Sequence, residues 1–158
     1  MKIRISLIAL GGLLCIAPAP APDDIATAKA ELLAMHQADR QAHFDHNVDA
    51  LLAAFPTEFI YLREGEIQRQ SKQDMRQRFS EYFQGAEFTA WDDLEPPIIH
   101  VSPDGMMAGM IVRVKVAYTK TDSSGKKTEQ NTVLAWLSCY EKQDGKWVHA
   151  ANVTTAAP

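Results

Sequence analysis

Residues 104–147 read DGMMAGMIVRVKVAYTKTDSSGKKTEQNTVLAWLSCYEKQDGKW. Three glycine turns lie in this stretch, at Asp104-Gly105-Met106, Ser124-Gly125-Lys126 and Asp144-Gly145-Lys146, and β-branched and aromatic residues fill the runs between them. Glycine beside aspartate or serine is typical of tight turns between antiparallel strands. The stretch therefore predicts a meander of hairpins. Strands are expected near 86–95, 98–102, 106–121, 127–141 and 146–155.

The half of the chain before residue 85 has a mostly helical pattern. Helices are expected at about 24–45, from Asn47 to Pro56 and from Ser71 to Gly85, with a hairpin at Glu64-Gly65 between the last two. Ser71 and Asp74 have the spacing of a capping box. The pattern predicts an α+β domain in which three N-terminal helices wrap one antiparallel sheet.

The length and composition fit one domain, and the N-terminal segment suggests export. The 158 residues are 46% hydrophobic and 23% charged, enough for one sizeable core. Lys2 and Arg4 precede an uncharged apolar run at 5–17, which is typical of a secretory signal. We therefore expect a signal peptide at 1–22 and a single domain at 23–158. The protein is expected to be secreted or periplasmic and free of the membrane once the signal is removed.

The mature chain would be acidic, and its stability would depend on the hydrophobic core without help from a disulfide. Removing Lys2 and Arg4 leaves 14 bases against 20 acids, so the net charge moves from -4 to -6 and nucleic acid is not expected as a partner. If Cys15 leaves with the signal, only Cys139 remains and no internal disulfide can form. Proline follows every candidate alanine at 17–22, so an uncleaved anchor stays open as an alternative.

Strand parity points to a second copy of the chain. In the strand at 106–121, apolar residues alternate with mostly polar ones, so one face is expected to be exposed. The segment 132–139 is instead largely apolar on both faces, with Leu134 and Trp136 on one and Leu137 and Cys139 on the other. A strand buried on both faces needs cover on both. We therefore expect a homodimer through the sheet.

The chain resembles the nuclear transport factor two-like superfamily, with the SnoaL-like and ketosteroid isomerase-like proteins as the most similar branch. The resemblance covers about 25–155 and rests on the element order, the Phe55-Pro56-Thr57-Glu58-Phe59 stretch and the closing Asp144-Gly145-Lys146-Trp147 turn. It implies a cone-shaped curved sheet whose helices close a deep apolar pocket. The residues expected to line that pocket are His36, Tyr61, Met110, Val112, Tyr118, Trp136 and Asn152.

The polar end of the first helix is the main candidate site. His36, Asp39, His43 and His46 follow one another at spacings of three, four and three, so they share one side of the helix. Asp39 is the expected general base and His36 or His43 its proton partner. The alternative is a hydrogen-bonded group at a solvated helix end. The set also suits zinc, but four ligands along one helix rarely converge, so neither a metal nor a cofactor is expected.

Asp92 is the second candidate. It shares strand parity with Phe88, Ala90 and Leu94, which predicts a carboxylate on an apolar face, whereas Trp91 falls on the opposite face. The ketosteroid isomerase resemblance implies a base, a tyrosine and a protonated acid, and Asp39, Tyr61 and Asp92 are residues of those types. A register error of one residue would instead place Asp92 in solvent.

Two functions remain open from the sequence. The first is an exported domain that binds a small apolar molecule without catalysis. The second is an isomerase or lyase that uses proton transfer between aspartate and histidine. The sequence contains no nucleotide-binding, serine-hydrolase or thiol-redox motif. The expected binding partners are therefore small molecules or other proteins.

Overall fold

The computed structural model describes residues 22–157 and has the predicted order of helices and strands. Its elements are α1 (Pro22–Phe44), α2 (Val48–Leu51), β1 (Glu58–Arg63), β2 (Glu66–Ser71), α3 (Lys72–Phe83), β3 (Ala86–Asp93), β4 (Ile98–Val101), β5 (Met107–Thr121), β6 (Lys127–Gln143) and β7 (Lys146–Ala156). The predicted signal segment falls almost wholly outside the described residues. Within 22–157, no helix is both long and apolar enough to cross a membrane.

The sheet is curved and unclosed, with the strand order β2-β1-β7-β6-β5-β3 and with β4 also paired to β5. The fold is α+β, as predicted. The sheet is mixed rather than wholly antiparallel, because β1 pairs with β7 in parallel at 60–62 and 151–153. Helix α3 separates the β1–β2 hairpin from the meander, so no tight turn fixes the direction in which β1 meets β7.

Helix α1 packs one face on the inner side of the sheet. Ala28 and Leu32 are buried against β5 and β6 at one end, and His36 and His43 are buried further along the helix. Beside Leu32 on α1, the Glu31 carboxylate accepts a hydrogen bond of 2.9 Å from the Trp147 indole. These contacts hold the polar end of α1 over the inner face of the sheet.

Local signals set the other helix ends. Ser71 caps α3, and the reciprocal hydrogen bonds of the capping box with Asp74 are both present. Asn47 accepts a hydrogen bond from the Ala50 backbone at the start of α2, which is only four residues long. The short α2 carries Leu51 into the core beside Phe83 of α3.

Two β-bulges change which residues face inward. One lies between Phe88 and Ala90 in β3, and the other lies opposite the Cys139–Tyr140 step, where β7 contains the extra residue Ala150. A bulge reverses the alternation of side chains along its strand. Trp91 consequently points inward in β3, and β7 carries both an odd and an even residue, His149 and Asn152, toward the interior.

The outer face of the sheet carries a continuous apolar row. Its members are paired directly across six strands, and each is between 37% and 67% exposed. We call this set the outer row: Ile98, Ile111, Leu137, Val153, Leu62 and Ile67. Beside it, Gly109, Cys139 and Ala151 form a flat row of small residues. Such a contiguous exposed apolar surface is unusual on a monomer.

Gly85, in the link between α3 and β3, is a position where substitution is expected to lower the stability strongly. Gly85 has φ +70°, and a side chain there would collide with the carbonyl oxygen of Thr121. Gly85→Ala is therefore expected to lower the free energy of unfolding by about 3 kcal/mol and the melting temperature by roughly 10 °C. Gly125 has a similar φ of +83° but open space around it. Gly125→Ala is expected to cost only about 1 kcal/mol, and equal losses in thermal denaturation would contradict the clash.

Candidate functional site

A cavity of about 440 Å³ lies between the helices and the inner face of the sheet. One side is formed by α1 and α3, and the other by β5, β6 and β7. The cavity-lining residues are His36, Asp39, His43, Leu51, Phe55, Phe59, Tyr61, Met75, Arg78, Phe79, Tyr82, Trp91, Val116, Tyr118, Thr132, Leu134, Trp136, Ser138, Tyr140, His149, Asn152 and Thr154. Aromatic and aliphatic side chains dominate this lining, and a few polar groups interrupt it, as in many small-molecule sites.

The end of α1 is tied to β3 by three polar contacts. His36 Nε2 lies 2.8 Å from an oxygen of Asp93, and Arg40 donates hydrogen bonds of 2.8 Å to the Trp91 carbonyl and to Asp92. The Asp92 side chain is 55% exposed and lies outside the cavity. The predicted inward position of Asp92 is therefore wrong, because the β3 bulge turns Trp91 inward in its place.

Asp39 is the carboxylate that faces the cavity. Burial raises its pKa from 3.8 to about 7. Within the described chain, no side chain forms a hydrogen bond or an ion pair with this carboxylate. Tyr140 lies close enough for the Asp39 charge to affect it, and burial followed by that charge raises the pKa of the phenol. Asp39 can thus hold or release a proton near neutral pH beside a phenol that stays protonated.

His43 is neutral and is bonded to the backbone rather than to the Asp39 carboxylate. Its Nδ1 lies 2.7 Å from the Asp39 carbonyl oxygen, and burial lowers its pKa to about 4, with that hydrogen bond acting in the opposite direction. The ring is enclosed by aromatic side chains, among them Trp91 at 5.0 Å between ring centroids. The His46 ring packs against Phe83 and Phe88 in tilted geometry, with 5.5 and 5.9 Å between ring centroids.

His36, Asp39 and His43 lie on α1, but His46 lies in the turn after the helix with φ 52°, so the predicted set of four does not share one helix face and does not converge on a point. His36 is engaged with Asp93, His43 with the Asp39 backbone, and His46 with Phe83 and Phe88. In residues 22–157 no group of three or more histidine, cysteine, aspartate or glutamate side chains is placed to hold a metal ion. The arrangement offers a single titrating carboxyl group rather than a ligand set.

The sheet wall carries a second polar group. Ser138 and Asn152 are directly paired on β6 and β7, and Tyr140 and His149 form the next pair. The His149 ring stacks on Tyr140 at 4.8 Å and lies 4.8 Å from the Phe55 ring. Among the residues that the structure describes, His149 Nε2 and Asn152 Oδ1 are buried without a hydrogen-bond partner. A hydrogen bond between the Ser138 and Tyr140 side chains lowers the pKa of that phenol, against the larger effect of burial. Ser138, His149 and Asn152 line the same cavity as Asp39.

Arg78 supplies the cation of the cavity. Its guanidinium lies over the rings of Tyr61 and Phe79, at 5.7 and 5.0 Å from their centroids. Burial lowers its pKa, and nearby Tyr61 and Arg63 act in opposite directions. Stacking on aromatic faces stabilises arginine without using its hydrogen-bond donors.

The cavity brings together most of the residues predicted for it. Asp39 and His43 lie on its helical side, together with His36. The predicted lining residues Tyr61, Tyr118, Trp136 and Asn152 also reach it. Met110 and Val112 do not, because they pack under α1 against Ala28 and Leu32, which fill that end of the sheet.

Several residues that line the cavity were not predicted from the sequence. Tyr140 shares parity with Trp136 and Ser138 along β6, so its inward direction was available from the pattern. His149 was not separable from the outer face, because the bulge at Ala150 is needed to place it beside Asn152. Arg78 gave no signal, since a charged residue on a surface helix is ordinary.

Comparison with known proteins identifies the fold. No protein-family model and no curated protein matches the sequence. Among solved structures, a ketosteroid isomerase-like protein from Erwinia carotovora atroseptica is 17% identical, with TM-score 0.61 over 82% of this chain and 96% of that one. An NTF2-like protein from Cytophaga hutchinsonii is 17% identical, with TM-score 0.58 over 85% and 97%. The association domain of CaMKII from C. elegans is 13% identical, with TM-score 0.56 over 85% and 99%.

These likenesses place the chain in a class of α+β proteins that fold helices over a curved sheet. The chain has the nuclear transport factor two-like fold, and the resemblance stated from the sequence is confirmed at that level. At these sequence identities the comparisons show the fold alone, and the chemistry has to be inferred from the residues of the site.

Proposed function

We propose that this protein is an exported domain that binds a small, largely apolar molecule in the cavity between α1 and the sheet. The observation that carries the proposal is the cavity itself, whose 440 Å³ is lined mainly by aromatic and aliphatic side chains. A core without a ligand role would fill such a volume, because interiors pack closely and empty space costs stability. The fold neighbours support a ligand-binding domain.

A second function is favoured by one specific observation, the raised pKa of Asp39. A carboxyl group that titrates at about 7 inside an apolar cavity is suited to general acid and base chemistry. Tyr140, held protonated, would donate a hydrogen bond to a developing oxyanion. The alternative is therefore an isomerase or lyase with Asp39 as the proton-transfer group. His43, with a pKa of about 4, would orient the helix end rather than accept the proton.

We also propose that two copies pair through the outer row. Six exposed apolar side chains in register across the sheet give a contiguous apolar surface that a second copy can cover about a two-fold axis. The small residues Gly109, Cys139 and Ala151 beside them allow close approach of two backbones. An association domain is among the similar structures, which supports assembly as one use of this fold.

The proposed function predicts that the cavity binds a two-ring apolar probe with measurable affinity. Isothermal titration with 1-methoxynaphthalene is expected to give one site per chain, with a Kd on the order of 100 µM for a compound of this size. Thr132 lines the cavity, so Thr132→Phe is expected to occupy the space and remove binding. A folded wild-type protein that releases no heat with the probe would contradict the proposed function.

The neighbouring residue provides a matched control. Asn131 is exposed and alternates with Thr132 along β6, so its side chain lies on the opposite face of the sheet. Asn131→Phe adds similar bulk without entering the cavity and is expected to leave the affinity unchanged. Equal loss in both variants would indicate a general effect on the strand rather than occupation of the site.

A further inference from the structure

We propose that Arg78, at the mouth of the cavity, binds a carboxylate of the ligand, so that the molecule bound is an apolar acid with one negative charge. The inference rests on the proposed small-molecule function and adds the chemical class of the ligand. The hydrocarbon part would lie among the aromatic side chains of the cavity, and the carboxylate would lie at the end formed by α3 and β1.

The guanidinium of Arg78 is held beside two of the rings that line the cavity. Its central carbon lies 5.7 Å from the centroid of the Tyr61 ring and 5.0 Å from that of the Phe79 ring. Arg78 is itself a lining residue, yet it is exposed. An exposed arginine keeps its charged end in contact with water while its stem packs on apolar groups. The guanidinium therefore lies at the border between the cavity and solvent, where a ligand can reach it.

Arg78 has no acidic partner. Among the residues that the structure describes, it forms neither a hydrogen bond nor an ion pair, and its contacts are with aromatic faces. Four other arginines each have a carboxylate oxygen within 2.9 Å: Arg40, Arg63, Arg69 and Arg76. Arg113 is the other described arginine without an ion pair, and it does not line the cavity. The N–H donors of Arg78 are thus available to a ligand.

The acidic residues one turn away on α3 are engaged elsewhere. Asp74 belongs to the capping box at the start of the helix, and Glu81 accepts a hydrogen bond of 3.0 Å from Gln77. Neither carboxylate is bonded to Arg78. A ligand anion at this position would therefore meet a cation for which no carboxylate of the same helix competes.

The chemistry of Arg78 favours a carboxylate over other polar groups. Its planar guanidinium stays charged and presents parallel N–H donors that match the two oxygens of a carboxylate. Arg63 is near enough for its charge to lower the pKa of Arg78, but Arg63 is already paired with Glu64. One cation balances one negative charge, whereas a phosphate monoester carries close to two at neutral pH. A monocarboxylate is therefore the anion that fits this mouth.

The exposed position of Arg78 makes a clean test possible. Arg78→Met removes the charge and keeps an unbranched side chain over Tyr61 and Phe79. The variant is expected to fold, because the substitution removes no hydrogen bond and opens no space in the core. Arg76 lies two residues away on the same helix, is exposed and does not line the cavity. Arg76→Met is therefore the matched control.

The experiment compares 1-naphthaleneacetate with 1-naphthaleneacetamide by isothermal titration at pH 6, where the acid is ionised and Asp39 mostly keeps its proton. Wild type is expected to bind the carboxylate about tenfold more tightly than the amide, which is the effect of one charge-assisted pair of hydrogen bonds. Arg78→Met is expected to bind the carboxylate no more tightly than the amide, and Arg76→Met to keep the preference. Equal affinities in wild type, a preference that persists in Arg78→Met, or its loss in both variants would overturn the proposal.

A second measurement needs only the wild-type protein. The chain has a net charge of -4, so added salt would strengthen the binding of an anion unless a local cation holds it. Between about 20 and 500 mM NaCl the affinity for the carboxylate is expected to fall several-fold, and that for the amide is not. A rise in the affinity for the carboxylate would contradict an ion pair with Arg78.

Further probes separate the anion class and the two levels of the proposal. 1-Naphthyl phosphate is expected to bind wild type less tightly than 1-naphthaleneacetate, and tighter binding would overturn the carboxylate assignment. Equal binding of the acid and the amide would contradict the role of Arg78 alone. Failure of the amide and of 1-methoxynaphthalene to bind wild type would contradict the proposed function, so the two failures are distinguishable.

Discussion

The Asp39→Asn variant is expected to unfold with nearly the wild-type free energy at pH 4 and to be more stable than wild type by about 4 kcal/mol at pH 8. The cause is the buried carboxyl group, whose pKa is about 7 in the folded chain, against 3.8 for an aspartate side chain in water. A tenfold change in proton affinity corresponds to about 1.4 kcal/mol, so the full difference is about 4 kcal/mol. Chemical denaturation at a series of pH values measures it.

The sign follows from proton binding in the two states. Between pH 3.8 and 7 the folded chain holds a proton on Asp39 that the unfolded chain has released. Stability from this group is therefore complete below pH 3.8 and is lost as the pH rises through 7. Asparagine stays neutral throughout and removes this loss.

The difference between the two proteins isolates Asp39 from other titrating groups. His43 and His149 both have pKa values lowered to about 4, so they reduce stability as the pH falls, in the opposite direction. They titrate in the variant and in wild type alike, and their contribution cancels. Asp92→Asn is the control, because its exposed pair with Arg40 should contribute less than about 1 kcal/mol at any pH. A pH-independent difference for Asp39→Asn would contradict a buried carboxyl group.

The same variant separates the binding function from the catalytic one. A general base in the cavity would accelerate deuterium exchange at the α-carbon of 2-tetralone, a two-ring ketone of suitable size, and exchange would fall to the solvent rate in Asp39→Asn. If wild type leaves exchange at the solvent rate while it binds the naphthyl probes, the protein acts as a binding domain. Nuclear magnetic resonance of the α-protons distinguishes the two results.

The Leu137→Glu variant is expected to convert a dimer into a monomer. Leu137 lies in the middle of the outer row between Ile111 and Val153, and the pairing proposed here is symmetric, so one substitution places two carboxylates in the interface. Burying charges without partners is expected to weaken association at least 100-fold. Sedimentation or light scattering should give twice the chain mass of 17.6 kDa for wild type and a single chain mass for the variant.

A matched control excludes a general effect of exposed charge. Leu33 on α1 is 36% exposed and Leu137 is 38% exposed, but Leu33 lies on the helix rather than in the outer row. Leu33→Glu is expected to remain dimeric. A wild-type chain that stays monomeric at high concentration would refute the proposed pairing, and loss of the dimer in both variants would argue against the outer row as its site.

Local chemistry made much of the fold predictable. The glycine turns, the Ser71 capping box and the Asn47 cap act within a few residues, so their signals are present in any short window of sequence. The polar face of α1 was predicted for the same reason, because helical periodicity places His36, Asp39 and His43 together without reference to the rest of the chain.

The remaining errors come from geometry that no short window contains. The bulges at Thr89 and Ala150 carry no glycine or proline, and each reverses the parity of the residues beyond it. Asp92 was therefore placed inward, and the inward face of β7 could not be chosen. Met110 and Val112 were assigned to the pocket because the sequence does not say how much of β5 is covered by α1.

The Trp91–Trp136 pair gives the protein its own optical reporter. The two indole rings lie 5.6 Å apart and both line the cavity, whereas the third tryptophan of the chain, Trp147, packs with Ala28 and Leu32 under α1 and is not a lining residue of the cavity. Intrinsic emission is therefore weighted toward the place where a ligand would sit. Extracts and compound libraries can be surveyed with unlabelled protein, and a fraction that quenches this emission would lead directly to the natural ligand.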